Sequence, residues 1–437
     1  MIQFYSVCDR LGIMIWQEFM FACALCPVDK PFLENVELEV TDQVSRLMSH
    51  PSIVLWSGNN ENQEFMVKGW DKAVVLNPYL FAGMDLEYGA QSMPSFKILG
   101  EVVPASEWHP RSALMVHRNH HGNGQQEMIE QIEYQFELPP ALSKYYRAHP
   151  SLSLALPEKN RGALVDSFCY LTQCAQARSI TAQTEHYRRG NGLPIHTMGA
   201  LYWQLNDIWP GPTWSSIEHD GTWKPLHYYM RNAFQDIVVT GFQPPKSQEV
   251  HIHVSVCGLG AVSGSLKYRS LHLASGELSD SRRVQFSIPG QNKAELDATS
   301  GADSGPSIVR MLPQIYPVER PFPLSLLKQD PILVAGDFVL TEKDQYAYEI
   351  RFIVTATAAT AGFVFLQWDA NNIQGWFSDN GFWLLKGETK KIVFSGHKDH
   401  AHGTPALTPA NLELRSLSDV VRDADLVGQV HKMITLK

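Results

Sequence analysis

Apolar residues from Leu11 to Trp16 (LGIMIW) follow one another with scarcely a polar break, the pattern of a strand covered on both faces in a parallel sheet. Leu33, Val36, Val40, Val44 and Leu47 then recur at three- and four-residue steps between Glu34, Glu37, Glu39 and Asp42, which predicts a helix over 33–48 with one dry face. His50-Pro51 interrupts it, because a residue before proline is pushed out of the helical region. Ile53 to Trp56 predicts a second buried strand, ending in the polar run Ser57-Gly58-Asn59-Asn60-Glu61. Strand, helix and strand in this order make a parallel β/α unit. The polar run falls just past the C-terminal end of its strand, the edge where the loops of α/β sheets converge and their chemistry gathers.

Leu164, Phe168, Leu171 and Ala175 mark one face of a second helix over about 164–187. Thr197 to Leu205 (TMGALYWQL) predicts another strand, ending in Asn206-Asp207. Beyond about Thr240 the period shortens to two. Val250 to Val256 (VHIHVSV) alternates apolar and polar, and Tyr348 to Ala356, Phe363 to Trp368 and Lys391 to Phe394 read as further strands. Pro313 to Pro323 is Pro-rich and reads as a linker between two all-β regions, and Phe377 to Phe382 reads as a hairpin and packing element.

Composition narrows the classes of partner. The chain has 437 residues, 44% of them hydrophobic and 19% charged, which is ordinary globular content with room for roughly two to four domains. A net charge of −9 and the lack of a basic run argue against nucleic acid as a partner. The longest apolar runs, Phe19 to Leu25 and Phe363 to Leu366, fall far short of the roughly 20 residues of a membrane span, so no membrane partner is expected. No basic leader precedes an apolar stretch after Met1, so no export signal is read there. Cys23 and Cys26 form a lone C-x-x-C without a second pair, and His117, His120 and His121 lie on a polar, Gly-rich stretch; neither group is expected to hold a metal.

Two carboxylates stand in informative surroundings. Glu61 lies within HPSIVLWSGNNENQE (His50 to Glu64), and Glu87 opens EYGAQSMPSF (Glu87 to Phe96). Together with FYSVCDRLGIMIWQEFMFACA at Phe4 to Ala24, MGALYWQLNDIWPGPTWSSIE at Met198 to Glu218 and GWFSDNGF at Gly375 to Phe382, these stretches resemble the β-mannosidases of glycoside hydrolase family two. The resemblance runs over most of the chain, and related galactosidases and glucuronidases usually carry a shorter G-N-E in place of Gly58-Asn59-Asn60-Glu61.

The resemblance implies a retaining exo-β-mannosidase that removes terminal, non-reducing β-D-mannose from oligosaccharides and glycoproteins, with Glu61 as general acid/base and Glu87 as nucleophile. Such chemistry needs two carboxyl groups about 5 to 5.5 Å apart, one protonating the leaving oxygen and one forming a glycosyl-enzyme ester. Asn60 matches the family residue that hydrogen-bonds the sugar 2-hydroxyl, and Trp203, Trp209 and Trp56 offer flat apolar walls for a pyranose. Trp203 is favoured as site-lining, while Trp56 suits a core equally well. No metal and no organic cofactor is implied; the substrate is a β-mannoside oligosaccharide, and the family's compartment is the lysosome.

The expected fold class is α/β plus all-β: an incomplete (β/α)8 TIM barrel over residues 1–240, then two immunoglobulin-like β-sandwich domains over 241–325 and 326–437. The family carries a jelly-roll domain, a sandwich and the opening barrel strands ahead of the first matched stretch, and these are expected to be missing. The family also places the acid/base after barrel strand four and the nucleophile after strand seven. Three crossovers and two strands need roughly 45 residues, whereas 87 − 61 − 1 = 25 separate Glu61 from Glu87. Leu86 and Glu18 replace a small polar residue and an Asp of the family pattern. A fragment of low activity is therefore expected. Another family-two exo-β-glycosidase and a non-catalytic carbohydrate-binding or interaction protein are the alternatives.

Overall fold

Residues Ile2–Leu11 form helix α1, which stops at Gly12, whose φ of +68° is a conformation that glycine adopts readily. Ile13 N–H reaches back to the Cys8 carbonyl at 3.0 Å, the closing bond of such helix ends. A computed structural model describes residues 2–22, 26–60, 87–191, 197, 199–244, 249–257, 260–271, 278–289, 321–344, 347–369, 373–398 and 407–435. They fall into two units, Met1–Ala82 and Gly83–Lys437.

In the first unit, strand β1 (Ile15–Glu18) starts later than the apolar run suggests. The stretch Leu11 to Trp16 is divided between a helix end, a turn and a strand, and Leu11, Ile13 and Met14 are exposed. Helix α2 (Lys30–Leu47) matches the predicted helix closely; Asp29 caps it by accepting Phe32 N–H at 3.1 Å, and Pro31 sits in its first turn. Strand β2 (Ile53–Ser57) pairs parallel with β1, from Ile15 opposite Ile53 to Glu18 opposite Ser57. The order is that of the β/α unit expected from the sequence, but its burial is not: β2 has no buried residue, Val54 being 59% exposed, and of the expected dry face of α2 only Leu47 is buried, Leu33 being 50% exposed. Tyr5, Cys8, Ile15 and Leu47 form its small core, with Ile53 and Trp56 packed against it. Asp9 ties the unit together by accepting Ser52 N–H at 3.0 Å and meeting His50 Nδ1 at 2.6 Å; the His50 contact holds the Asp9 carboxyl below its usual range.

In the second unit, strand β3 (Glu87–Gly89) leads into helices α3 (Phe96–Val102), α4 (Ala113–Asn119) and α5 (Gly124–Gln135), strand β4 (Phe136–Glu137), helix α6 (Pro140–Arg147) and the 33-residue helix α7 (Glu158–Gly190). The predicted face of α7, Leu164, Phe168, Leu171 and Ala175, is fully buried, and so are Val165, Cys169, Tyr170 and Cys174 on other faces. A helix covered nearly all round is a central one. Strand β5 (Leu201–Trp203) pairs parallel with β3, and helix α8 (Pro225–Ala233) packs on α7.

Two antiparallel ribbons come next: β6 (Ile237–Phe242) with β7 (His251–Val256), and β8 (Val262–Leu271) with β9 (Leu278–Ile288). Most of the Pro-rich stretch lies outside the described residues; at its end β10 (Phe322–Pro323) pairs parallel with β4. Beyond it stand two sheets, one of β11 (Leu333–Glu342), β12 (Ala347–Ala356), β16 (Thr389–His397) and β14 (Gln374–Phe377) in the order β11-β12-β16-β14, the other of β15 (Phe382–Leu384), β13 (Ala361–Trp368) and β17 (Leu412–Arg415) in the order β15-β13-β17. Alternate residues Tyr348, Ile350, Phe352 and Val354 on β12 share a core with Val364, Leu366 and Trp368 on β13.

The sandwich departs from the sequence-based expectation in two places. Phe377 and Phe382 pack into its core, but β14 pairs with β16 and β15 with β13, so the residues between them carry the chain from sheet to sheet instead of closing a hairpin. Asn380 fixes that crossing, accepting Leu366 N–H at 2.8 Å and donating to the Leu366 carbonyl at 2.9 Å. The region expected to be all-β also ends in a helix, α9 (Leu417–Thr435), whose Leu417, Val420, Ala424 and Val427 join the helical core. Their three- and four-residue steps are a helical signature legible in the sequence. Among the described residues no helix is long and apolar enough to cross a membrane.

Candidate active site

The parallel pairing of β3 with β5 sets Glu87 opposite Leu201, Tyr88 opposite Tyr202 and Gly89 opposite Trp203. Side chains alternate along a strand, so the buried Tyr88 faces one way and Glu87 the other. Tyr88 points to α7, with its hydroxyl 2.5 Å from Thr184 Oγ1 and its ring edge-on to Tyr187; burial pushes the phenol up to about 12. Glu87, Gly89, Leu201 and Trp203 share the opposite face, where Glu87 is exposed and Trp203 is 48% exposed. An acid and an indole thus lie diagonally across one open sheet face. Gly89 permits this closeness: a Cβ there would stand 2.8 Å from the Trp203 carbonyl and 2.8 Å from Trp214 Cδ1. The Trp203–Gln204 peptide bond is cis.

The other site residues predicted from the sequence stand elsewhere. Glu61 lies outside the described residues, as does Leu86. Asn60, in the first unit, extends the β1–β2 pairing through a bridge to Ala22, its N–H donating to the Phe21 carbonyl at 2.9 Å. Trp56, also in that unit, stacks on Phe19 at 5.7 Å and packs, partly buried, against the small core. Trp209 has Arg118 over its ring at 4.7 Å and His120 beside it at 5.0 Å. His117 lies against His120, while His121 packs on Trp214 and meets Glu127 at 2.9 Å, so this histidine group serves to pack the tryptophan-bearing loop. Cys23 lies outside the described residues and Cys26 is partly buried.

Around the turn that follows β3 lies a set of buried polar residues that the sequence pattern does not single out. Ser92 exchanges backbone hydrogen bonds with Thr213 at 2.8 and 3.1 Å. Gln176 of α7 donates to the Ala90 carbonyl at 2.8 Å and accepts from Ser92 Oγ at 2.9 Å, and Thr172 Oγ1 accepts Met93 N–H at 3.0 Å. Glu218, 2% exposed, accepts Ser95 N–H at 2.7 Å, Ser95 Oγ–H at 2.9 Å and Gln173 Nε2–H at 3.1 Å. Lys224, fully buried, stands 3.6 Å from Asp207 and 3.3 Å from Ser92 Oγ. Only the crowding of Ser, Thr, Gln and charged residues around otherwise apolar segments hinted at this in the sequence.

Burial pushes the Glu218 carboxyl up to about 7 from an ordinary 4.5, with Lys224 pulling the other way. Folded chains therefore hold this proton to higher pH than unfolded ones. Its stabilising contribution is complete below about pH 4.5 and is lost as the pH rises to about 7, up to about 3 kcal/mol. His109 and His227, both lowered to about 4 by burial, slope the opposite way at acid pH. A neutral isostere isolates the carboxyl: the stability of Glu218→Gln relative to the unsubstituted chain should rise by about 2 kcal/mol between pH 5 and pH 8 in urea unfolding. An unchanged difference at the two pH values would contradict the assignment.

Comparison with known proteins agrees with this architecture. Residues 339–420 match the Ig-fold domain family of mannosidases. The chain is 30% identical to the β-mannosidase of Bos taurus and 32% identical to that of Capra hircus, in each case over 90% of this chain and 52% of the relative. Its fold is similar to that of the β-D-mannosidase of Dictyoglomus thermophilum, with TM-score 0.62, 21% identity, and 94% of this chain against 54% of that one. It is also similar to the exo-chitosanase of Amycolatopsis orientalis, with TM-score 0.61, 13% identity and coverage of 95% and 57%. Its architecture is thus mixed α and β with an Ig-like domain, and the chain spans about half the length of the curated relatives it matches. Over nine-tenths of its own length, the chain is homologous to curated β-mannosidases.

Proposed function

We propose that the chain carries the chemistry of a retaining exo-β-mannosidase, acting on terminal, non-reducing β-D-mannose of oligosaccharides. The observation that carries this reading is the β3–β5 pair, which sets Glu87 and Trp203 on one open face in a chain 30% identical to a β-mannosidase. Glu87 is the nucleophile and forms the glycosyl ester; Glu61 protonates the leaving oxygen and then activates water. Asn60 holds the sugar 2-hydroxyl, and Trp203 offers its ring face to the apolar side of the pyranose. Two carboxylates suffice for this reaction, so no metal or organic cofactor enters it. The compartment proposed from the resemblance is the lysosome.

The fold proposed to carry the site is an incomplete (β/α)8 barrel over 1–240, supported by the parallel β1–α2–β2 unit and the parallel β3–β5 pair. The ribbon β8–β9 supports a β domain over 241–325, which β7 joins by pairing with β6 across the boundary, and the two sheets from β11 to β17 support a second over 326–437. With 25 residues between the two carboxylates, two barrel strands and their crossovers cannot both fit. Such a barrel leaves strand edges unpaired and the site loosely framed. Turnover is therefore slow.

A panel of nitrophenyl β-mannoside, β-glucosaminide, β-galactoside and β-glucuronide tests the reading. We expect measurable release from the mannoside alone, at under about a thousandth of the rate of a full-length homologue, since misplaced catalytic groups forfeit such factors. Preference for another glycoside would move the chain to a different family-two activity. Mannose binding without release, unaffected by Glu61→Gln, would favour a carbohydrate-binding role.

A further inference from the structure

We infer that Glu218, Lys224 and Asp207 are positioning residues that clamp the turn following Glu87 to the loop following Trp203. The inference deepens the reading of Glu87 as nucleophile and rests on it. Strands β3 and β5 are three residues each, too short to fix their own register against the pull of the chain on either side. Register comes instead from the turn and the loop on their C-terminal sides.

Ser95, eight residues after Glu87, is held through both its N–H and its hydroxyl by the Glu218 carboxylate. Ser92 is bridged to Thr213, and its hydroxyl oxygen faces Lys224 Nζ at 3.3 Å. Lys224 in turn meets Asp207, whose carboxylate also accepts a hydrogen bond from the Thr213 hydroxyl. Gln173 joins Glu218 to the long helix and donates to the Met93 carbonyl at 3.1 Å as well. Asp220 and Cys169 are the other ionisable groups acting on Glu218. Three segments thus meet through charge and hydrogen bonds: the turn after β3, the loop after β5 and helix α7.

Burying an ammonium, a carboxylate and the carboxyl group of Glu218 costs more than filling the same space with apolar side chains. What the charges add is directionality, because each bond has one partner at one angle. Apolar packing alone would tolerate a slide of the turn, and a slide of one residue would rotate Glu87 off the face it shares with Trp203. The three side chains touch no reacting atom; they act through the strand that carries Glu87.

Hydrogen exchange read by mass spectrometry on the full chain tests this, with Ser95→Ala, Glu218→Ala, Lys224→Met and the conservative Glu218→Gln. In the first three, peptides covering 87–95 and 201–218 should exchange about tenfold faster, while peptides from β12 and β16 stay as they were. Glu218→Gln should restore slow exchange at 87–95. Hydrolysis of nitrophenyl β-mannoside should fall in kcat about tenfold in the same three variants with KM little changed. Ser95→Ala leaves every charge in place and keeps the test readable should Lys224→Met not fold. Unchanged exchange at 87–95 would overturn the clamp, and so would faster exchange spread equally over the sandwich. Should the unsubstituted chain release no nitrophenol, the exchange pattern still decides the clamp, and the β-mannosidase reading fails separately.

Discussion

Glu87→Gln lowers the slow hydrolysis of nitrophenyl β-mannoside by at least about 10³-fold, the scale on which loss of a covalent nucleophile is felt. The amide has nearly the shape of the carboxylate but cannot attack the anomeric carbon, so the first chemical step loses its bond-forming group. Glu87 is exposed on the open side of β3, away from the Tyr88 contacts that anchor the strand. Because glutamine keeps the size and most of the hydrogen-bonding capacity of the side chain, the stability of the variant should change by no more than about 1 kcal/mol. Initial rates and urea unfolding measured on one preparation separate the two effects: an equal loss of rate and of stability would mean that Glu87 holds the fold and does not react.

The second large effect depends on the leaving group. As the acid, Glu61 matters in proportion to how badly the departing oxygen needs a proton. Glu61→Gln should lower kcat/KM for a β-mannosyl disaccharide by about 10²–10⁴-fold, the usual worth of general acid catalysis. For a dinitrophenyl β-mannoside, whose phenolate leaves unaided, the loss in the same parameter should be at least about tenfold smaller. Equal losses on the two substrates would remove Glu61 from the acid role.

Much of this architecture is legible in the residues themselves. The three- and four-residue steps from Leu33 to Leu47 and from Leu164 to Ala175 give α2 and α7, because a helix brings residues three and four apart to one side; on α2 that side is buried only at Leu47, while α7 is covered nearly all round. The alternation from Tyr348 to Ala356 gives β12 for the same reason at a period of two. Leu11 to Trp16 misleads because an unbroken apolar run has no period, and the deciding residue is Gly12, whose backbone conformation ends one element before the next begins. The crossing at Asn380 and the docking of α9 depend on partners distant in the chain, which local pattern does not carry.

The site divides in the same way. Glu87 and Trp203 emerge from motif matches, and the strand pairing brings them to one face. Trp56 illustrates the limit: a tryptophan closing an apolar run satisfies both the sugar-wall and the core pattern, and in the fold it packs, partly buried, against the Tyr5 cluster. Glu218 stayed hidden because a carboxylate that binds Ser95, far from it in sequence, looks in one dimension like any solvated loop acid. Its burial is a property of the fold.

The central claim is that Glu87 becomes covalently bonded to mannose during turnover, and a 2-deoxy-2-fluoro-β-mannosyl fluoride tests it most directly. Fluorine at C2 destabilises the oxocarbenium-like transition states of both steps, while the fluoride leaving group speeds the first, so the glycosyl ester accumulates. Intact-protein mass followed by peptide mapping should find one fluoromannosyl unit, on Glu87. Labelling of a different carboxylate, with Glu87 unmodified, would contradict the account.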